Sequence, residues 1–194
     1  MTAAQDGGLL INASATGDKG TGVVLTNATL TGSRVHADVT QGDAVTVTGS
    51  LTGGKVSGYA DGGNGLNISN AVLSDTSLSG TTQTGKGTVV AGSLKADANS
   101  SVSGTATEDG GDGVSVSGSV TGGKTEGHAT GGTAVSVAEG STFTDTVVNG
   151  EATTGTGVSV AGEATLTNAV LNGTTQTGTG AAISGTFTGD KTSQ

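Results

Sequence analysis

Apolar and small residues alternate with serine, threonine and charge along most of this chain, and the alternation is itself repeated. A glycine followed two or three residues later by V-x-V or a relative opens each unit. The openers are GTGVVL (20–25), GDAVTV (42–47), GNGLNI (63–68), GKGTVV (85–90), GDGVSV (111–116), GTAVSV (132–137), GTGVSV (155–160) and GTGAAI (178–183). They are spaced by 22, 21, 22, 26, 21, 23 and 23 residues. DGGLLI (6–11) reads as a shorter opener ahead of them. Each unit then carries a second apolar residue: Leu30, Leu51, Leu73, Leu94, Val120, Phe143, Leu166 and Phe187. Five positions on comes a third, at Val35, Val56, Leu78, Thr125, Val148 and Leu171, followed by G-x-A as at Gly58/Ala60, Gly104/Ala106, Gly127/Ala129 and Gly150/Ala152. In the 26-residue unit it is delayed to Val102, which predicts an extra loop at 97–100.

Alternation with period two is strand periodicity with one face buried. No helical period interrupts it. Three short strands per coil of about 22 residues, joined at glycine corners, describe an all-β fold: a single-stranded parallel β-helix, or β-solenoid. Left-handed β-helices run on hexapeptides of about 18 residues per coil. No six-residue beat is present, so the expectation is a right-handed solenoid. Val, Leu and Phe stack inward, and Gly serves corners that need positive φ or close backbone approach. Eight coils at about 4.8 Å give a rod of roughly 40 Å. The units divide the chain into an incomplete coil (1–19), seven full coils (20–177) and an incomplete final coil with tail (178–194). With no capping element at either end, the chain reads as an excerpt of a longer array. Uncapped edges also carry an expectation of end-to-end self-association.

Composition changes this picture little. With 38 Gly among 194 residues and 2% aromatics, the chain has the makeup of a flexible polar tract. The regular recurrence of its apolar residues and a net charge of only -9 favour order instead. The absence of cysteine excludes a disulfide framework or thiolate metal site. Seven Lys+Arg against 16 Asp+Glu, without a basic cluster, excludes nucleic acid as a partner. No apolar run is long enough for a membrane-spanning helix, so no membrane insertion is expected.

Three surface patterns are candidates for chemistry. The second strand repeats Thr-x-Thr, and Thr29, Thr31, Thr142, Thr144, Thr165, Thr167, Thr186 and Thr188 could form an outward rank of the kind that orders ice. Val72 and Lys95 interrupt it. In the third strand, Asp38, Tyr59, Thr81, Thr105, His128, Glu151 and Thr174 share one outward column. His128 and Glu151 then stand on adjacent coils, with Glu126 on the same side, and a carboxylate–imidazole pair is capable of general acid–base work. A carbohydrate-active site would need more convergent groups, and a surface ion pair is the expectation. The stretches DGGDGVSVS (109–117) and GGNGLNIS (62–69) approach a calcium-roll nonapeptide but place Ser and Asn where aspartate belongs. Neither metal nor other cofactor is expected, and no enzyme activity. Sequons at Asn12, Asn27, Asn67, Asn99 and Asn172 leave Asn99, in the expected loop, as the most accessible. The segments 42–63 and 111–132 are identical at 14 of 22 positions. Their differences are mostly outward (Tyr59 against His128, Ser57 against Glu126, Asp61 against Thr130), as in repeated rungs rather than a duplicated active site.

The rungs GTGVSVAGEATLTNAVLNGTTQTGTG and GDGVSVSGSVTGGKTEGHATGG resemble repeat regions of filamentous haemagglutinin-like bacterial exoproteins. That group includes the contact-dependent growth-inhibition stick proteins of two-partner secretion. The resemblance implies an extracellular stalk, secreted or displayed on the bacterial surface. It also implies an outer-membrane secretion partner, and a cell-surface or matrix receptor engaged through the parent protein. It transfers no functional residues.

Overall fold

The computed structural model describes residues 9–17 and 19–194; among them there is no helix, and strands pair in parallel from one end to the other. The chain winds as a β-solenoid of about eight turns. Paired residues are 21 apart in Arg34↔Lys55 and 26 apart in Lys86↔Asp112. Each coil carries the three expected pieces. The first two commonly run together, as in Asp43–Thr52, and the third is separate, as in Lys55–Ala60.

Register follows the hydrophobic pattern closely on two of the three faces. Third-strand residues Ile11, Val35, Val56, Leu78, Val102, Thr125, Val148 and Leu171 form one unbroken column. The first-strand column Val23–Val45–Leu66–Thr88–Val114–Val135–Val158–Ala181 is equally continuous. Thr88 stands in this apolar column with its hydroxyl donating to the Ser103 carbonyl at 2.6 Å. The extra residues of the long coil are a turn at 97–100, and the third-strand column passes it without a shift. DGGLLI is not an opener: Leu10–Ala15 pairs with Arg34–Val39, so Ile11, Ala13 and Ala15 belong to a third strand. Asp6, Gly7 and Gly8 lie outside the described residues.

The second strand departs from simple stacking of its leucines. Leu51 pairs with Leu73, but Leu51's other neighbour is Ala28, and Leu94 pairs with Ala71. The cause lies at the preceding corner. Asn27 and Asn70 adopt left-handed φ of 48° and 50°, and their Oδ1 atoms accept the Ser50 and Ser93 amides at 3.0 and 3.1 Å. Each asparagine lies against the corner glycine of the next coil, Gly49 or Gly92, where a Cβ would collide with it. Register shifts fall at these corners, between Thr26 and Ala28, Thr48 and Gly49, and Ser69 and Ala71, while from Leu94 on Val120, Phe143 and Leu166 stack in one column. At the last coil Phe187 pairs with Ala164 and Gly189 with Leu166. The inward side chain expected for Phe187 lies outside the described residues.

The interior is narrowest where third strands face the following first strands. Gly58, Gly80, Gly104, Gly127, Gly150 and Gly173 form a column in which any added Cβ would overlap a backbone carbonyl oxygen, that of Gly113 in the case of Gly104. The column exists because the two sheets converge there to backbone contact.

A second recurring device closes the turns ahead of the third strand. At 97–100 the Asp97 carboxylate accepts the Ser100 hydroxyl at 2.6 Å, the Ser74 hydroxyl at 2.9 Å and the Asp75 amide at 3.0 Å. Asp190 accepts the Ser193 hydroxyl at 2.7 Å, the Thr192 hydroxyl at 2.8 Å and the Asn168 amide at 3.0 Å. These bonds favour the charged form. The Ser100 hydroxyl foremost lowers the Asp97 pKa, and Ser193, then Thr192, lower that of Asp190 to about 2.

Two outcomes are expected. Gly104→Ala should lower stability by about 1–3 kcal/mol, an overpacking cost. Thr105→Ala, its outward neighbour, should stay within about 0.5 kcal/mol of the parent; urea titration measures both. Because the folded-state pKa values of Asp97 and Asp190 are depressed, their contribution is complete above the ordinary carboxylate range. It is lost as pH falls toward about 2 for Asp190. Urea midpoints measured down to that pH should therefore fall, and less steeply in Asp190→Asn.

Candidate functional site

Because the solenoid puts every outward third-strand residue beside its counterpart on the next coil, function is to be sought in columns rather than in sequence neighbours. The expected column is present in full: Asp38, Tyr59, Thr81, Thr105, His128, Glu151 and Thr174 follow one another in register. The adjoining column runs His36, Ser57, Ser79, Ser103, Glu126, Asn149 and Asn172.

His128 Nδ1 lies 3.7 Å from Glu151 Oε2, and both side chains are well exposed. Together with Glu126, Asn149, Asn172 and Thr174 they line an open depression of about 540 Å³. Glu126 does not converge on the pair; its carboxylate is held by Lys124 Nζ at 2.6 Å. Asn172 Nδ2 donates to Asn149 Oδ1 at 2.9 Å, an amide ladder that occupies the next two coils. The expected acid–base pair is therefore a solvent-facing histidine–carboxylate contact, and among the described residues no third group is aimed at it.

The threonines fall into two separate groups. Thr142 and Thr165, and Thr144 and Thr167, stand side by side on consecutive coils. Thr188 extends the first of these columns. Thr186 does not join it, and its carbonyl accepts the Ala164 amide at 3.1 Å. Thr29 pairs with Thr52, while Thr31 lies beyond the end of its strand, Val23–Thr29, in the following turn. The column of Thr144 and Thr167 runs back through Thr121 to Lys95, Val72 and Ser50, and that of Thr29 passes through Thr52 to Ser74, so among the described residues complete Thr-x-Thr pairs abut on only two consecutive coils.

The nonapeptide-like stretches are occupied by internal partners. In 109–117 the Ser115 hydroxyl accepts Lys86 Nζ at 2.9 Å, which sets a fixed cation where a roll would bring a ligand. Lys86 also opposes the burial that raises the pKa of Asp112. In 62–69, Asn64 and Asn67 both donate to the Asp43 carboxylate at 2.8 Å. Among the described residues no three His, Asp or Glu side chains group as cation ligands. Asn99 is exposed in its turn.

One constellation is not anticipated from the sequence. His36 Nδ1 lies 2.8 Å from Ser57 Oγ on the next coil, and His36 Nε2 lies 3.1 Å from Asp38 Oδ1 on its own strand. With Nε2–H donating to Asp38, the neutral ring leaves Nδ1 to accept the Ser57 hydroxyl. Beside them, Arg34 and Lys55 pair across the same two coils on the same outward face. A signal for it exists. His36 and Asp38 are two residues apart in one strand, and Ser57 follows His36 by the 21-residue spacing of that coil.

The His128–Glu151 pair provides a direct test of the ion-pair reading. Glu151→Gln should change stability by less than about 1 kcal/mol in urea titration, the range for an exposed pair. A larger loss would mean that the pair is coupled to more than solvent. The chain matches no family model, no curated protein and no solved structure.

Proposed function

We propose that this chain is a spacer: a β-solenoid stalk segment of a secreted or surface-displayed bacterial adhesin-like exoprotein. The observation that supports this reading best is the unbroken third-strand core column, Ile11 to Leu171, which crosses even the 26-residue coil without a slip. A solenoid with continuous register transmits position along its axis, and stability in such a repeat is a sum of neighbouring interfaces. Outward residues are free to vary as long as they remain polar, as Tyr59, Thr81, Thr105 and His128 do in one column. The mechanism is geometric: each coil adds about 4.8 Å of reach.

Small-angle scattering should show a rod of roughly 40 Å, lengthened by about 14 Å when three coils are duplicated in register. With the segment displayed between a cell anchor and a binding tip, capture should depend on coil number and not on outward substitutions. Capture that is indifferent to coil number would overturn the proposal. So would ice-shaping activity that is lost in Thr165→Tyr.

A further inference from the structure

Beyond the spacer reading, and independent of it, we propose that Ser57, His36 and Asp38 form a nucleophilic site able to hydrolyse esters of small carboxylic acids. A serine hydroxyl becomes a nucleophile when a base accepts its proton and a third group orients that base. Both contacts are present here, at 2.8 Å from Ser57 Oγ to His36 Nδ1 and at 3.1 Å from His36 Nε2 to Asp38 Oδ1. The Ser57 hydroxyl has one other acceptor, the Val35 carbonyl at 3.4 Å, a much longer contact. The histidine ring is held at both nitrogens between two coils of a rigid sheet, so little reorganisation precedes proton transfer.

The neighbours set the chemistry. Arg34 and Lys55 stand two residues before His36 and Ser57 and face the same way, so two cations share the outward face on which a carbonyl would be attacked. The site lies on an exposed sheet face, which suits a short acyl group rather than a long chain. In the first half-reaction Ser57 Oγ bonds to the carbonyl carbon while its proton passes to His36 Nδ1. The bond to the leaving alcohol then breaks, and that oxygen takes the proton from His36. Water, deprotonated by the same nitrogen, attacks the acyl-serine; the bond from the acyl carbon to Ser57 Oγ breaks, that oxygen takes the proton back from His36, and the carboxylic acid leaves. Asp38 acts through His36 and is a positioning residue.

The column supplies its own control. Ser79 follows Ser57 in register on the next coil, at the same depth, and no histidine stands beside it in the column. The intact chain is treated with a fluorophosphonate, and the adduct is located by peptide mass mapping. The expected result is one adduct per chain, at Ser57 and not at Ser79, with p-nitrophenyl acetate hydrolysis lost in Ser57→Ala. His36→Gln should slow labelling by about 100-fold or more, the usual contribution of a general base. Asp38→Asn should move the pH midpoint of labelling downward while leaving the far-UV spectrum unchanged. The other charged or titratable groups facing His36 are Arg34, Lys55 and Tyr59, and all three are retained in that variant. No adduct on the folded parent, an adduct spread evenly over exposed serines, or unchanged labelling in His36→Gln would each overturn the proposal. Mapping on the unsubstituted chain decides between these outcomes even if a variant misfolds.

Discussion

The cross-section of this solenoid depends on how closely two sheets can approach along a column of glycines. From Gly58 to Gly173, each third strand presents its glycine to the backbone of the following first strand, with no space for a methyl group. That approach narrows the interior enough for Val, Leu and Ile to fill it, which explains how a chain almost without large aromatics closes a core. A wider coil would need bulkier side chains or would leave voids. The columns of Val and Leu on either side pack into the space this convergence leaves.

Corners are held by side chains rather than by sequence-local turns alone. Asn27 and Asn70 accept amides from the coil above, and Asp97 and Asp190 accept amides from the coil below. Each such residue satisfies a backbone donor that belongs to another coil, so the corners lock registers together as well as reversing the chain. Among the described residues, no buried side-chain nitrogen or oxygen lacks a partner. Buried Thr88 and Thr146 meet this condition through backbone carbonyls, and for Thr88 this lets a hydroxyl stand in an apolar column.

Much of this is legible in the sequence, for a physical reason. Period-two alternation fixes which residues face inward, and the recurrence of V-x-V and G-x-A fixes which coils stack. First- and third-strand registers follow directly, as does the turn at 97–100. The second-strand register follows only in part: Leu51 meets Leu73, and Leu94, Val120, Phe143 and Leu166 stack, but Leu51 also meets Ala28 and Leu94 meets Ala71, because aligning leucine on leucine ignores the corner before it. The deciding feature is a corner alternating Asn with Gly, where the asparagine side chain takes the space the glycine leaves. DGGLLI misleads for a similar reason: its glycines suggest an opener, while Ile11-x-Ala13-x-Ala15 carries the small-residue spacing of a third strand. Surface chemistry is legible only as far as columns are compared. Pairing His128 with Glu151 uses the right rule, and the same rule applied one coil spacing after His36 leads to Ser57.

The direction of the hydrogen bonds has a mechanical consequence. They run along the rod axis, while the chain enters and leaves at the rims of the terminal coils. A pull on the two chain ends therefore does not load all coil interfaces at once; it peels the outermost coil, whose bonds break in sequence along its strands. A coil of 23 residues, as between Phe143 and Leu166, gives up about 4.8 Å of rod and releases about 80 Å of extended chain. Under tension such a fibre lengthens in discrete steps, each dissipating the energy of one coil interface while the remaining coils stay intact.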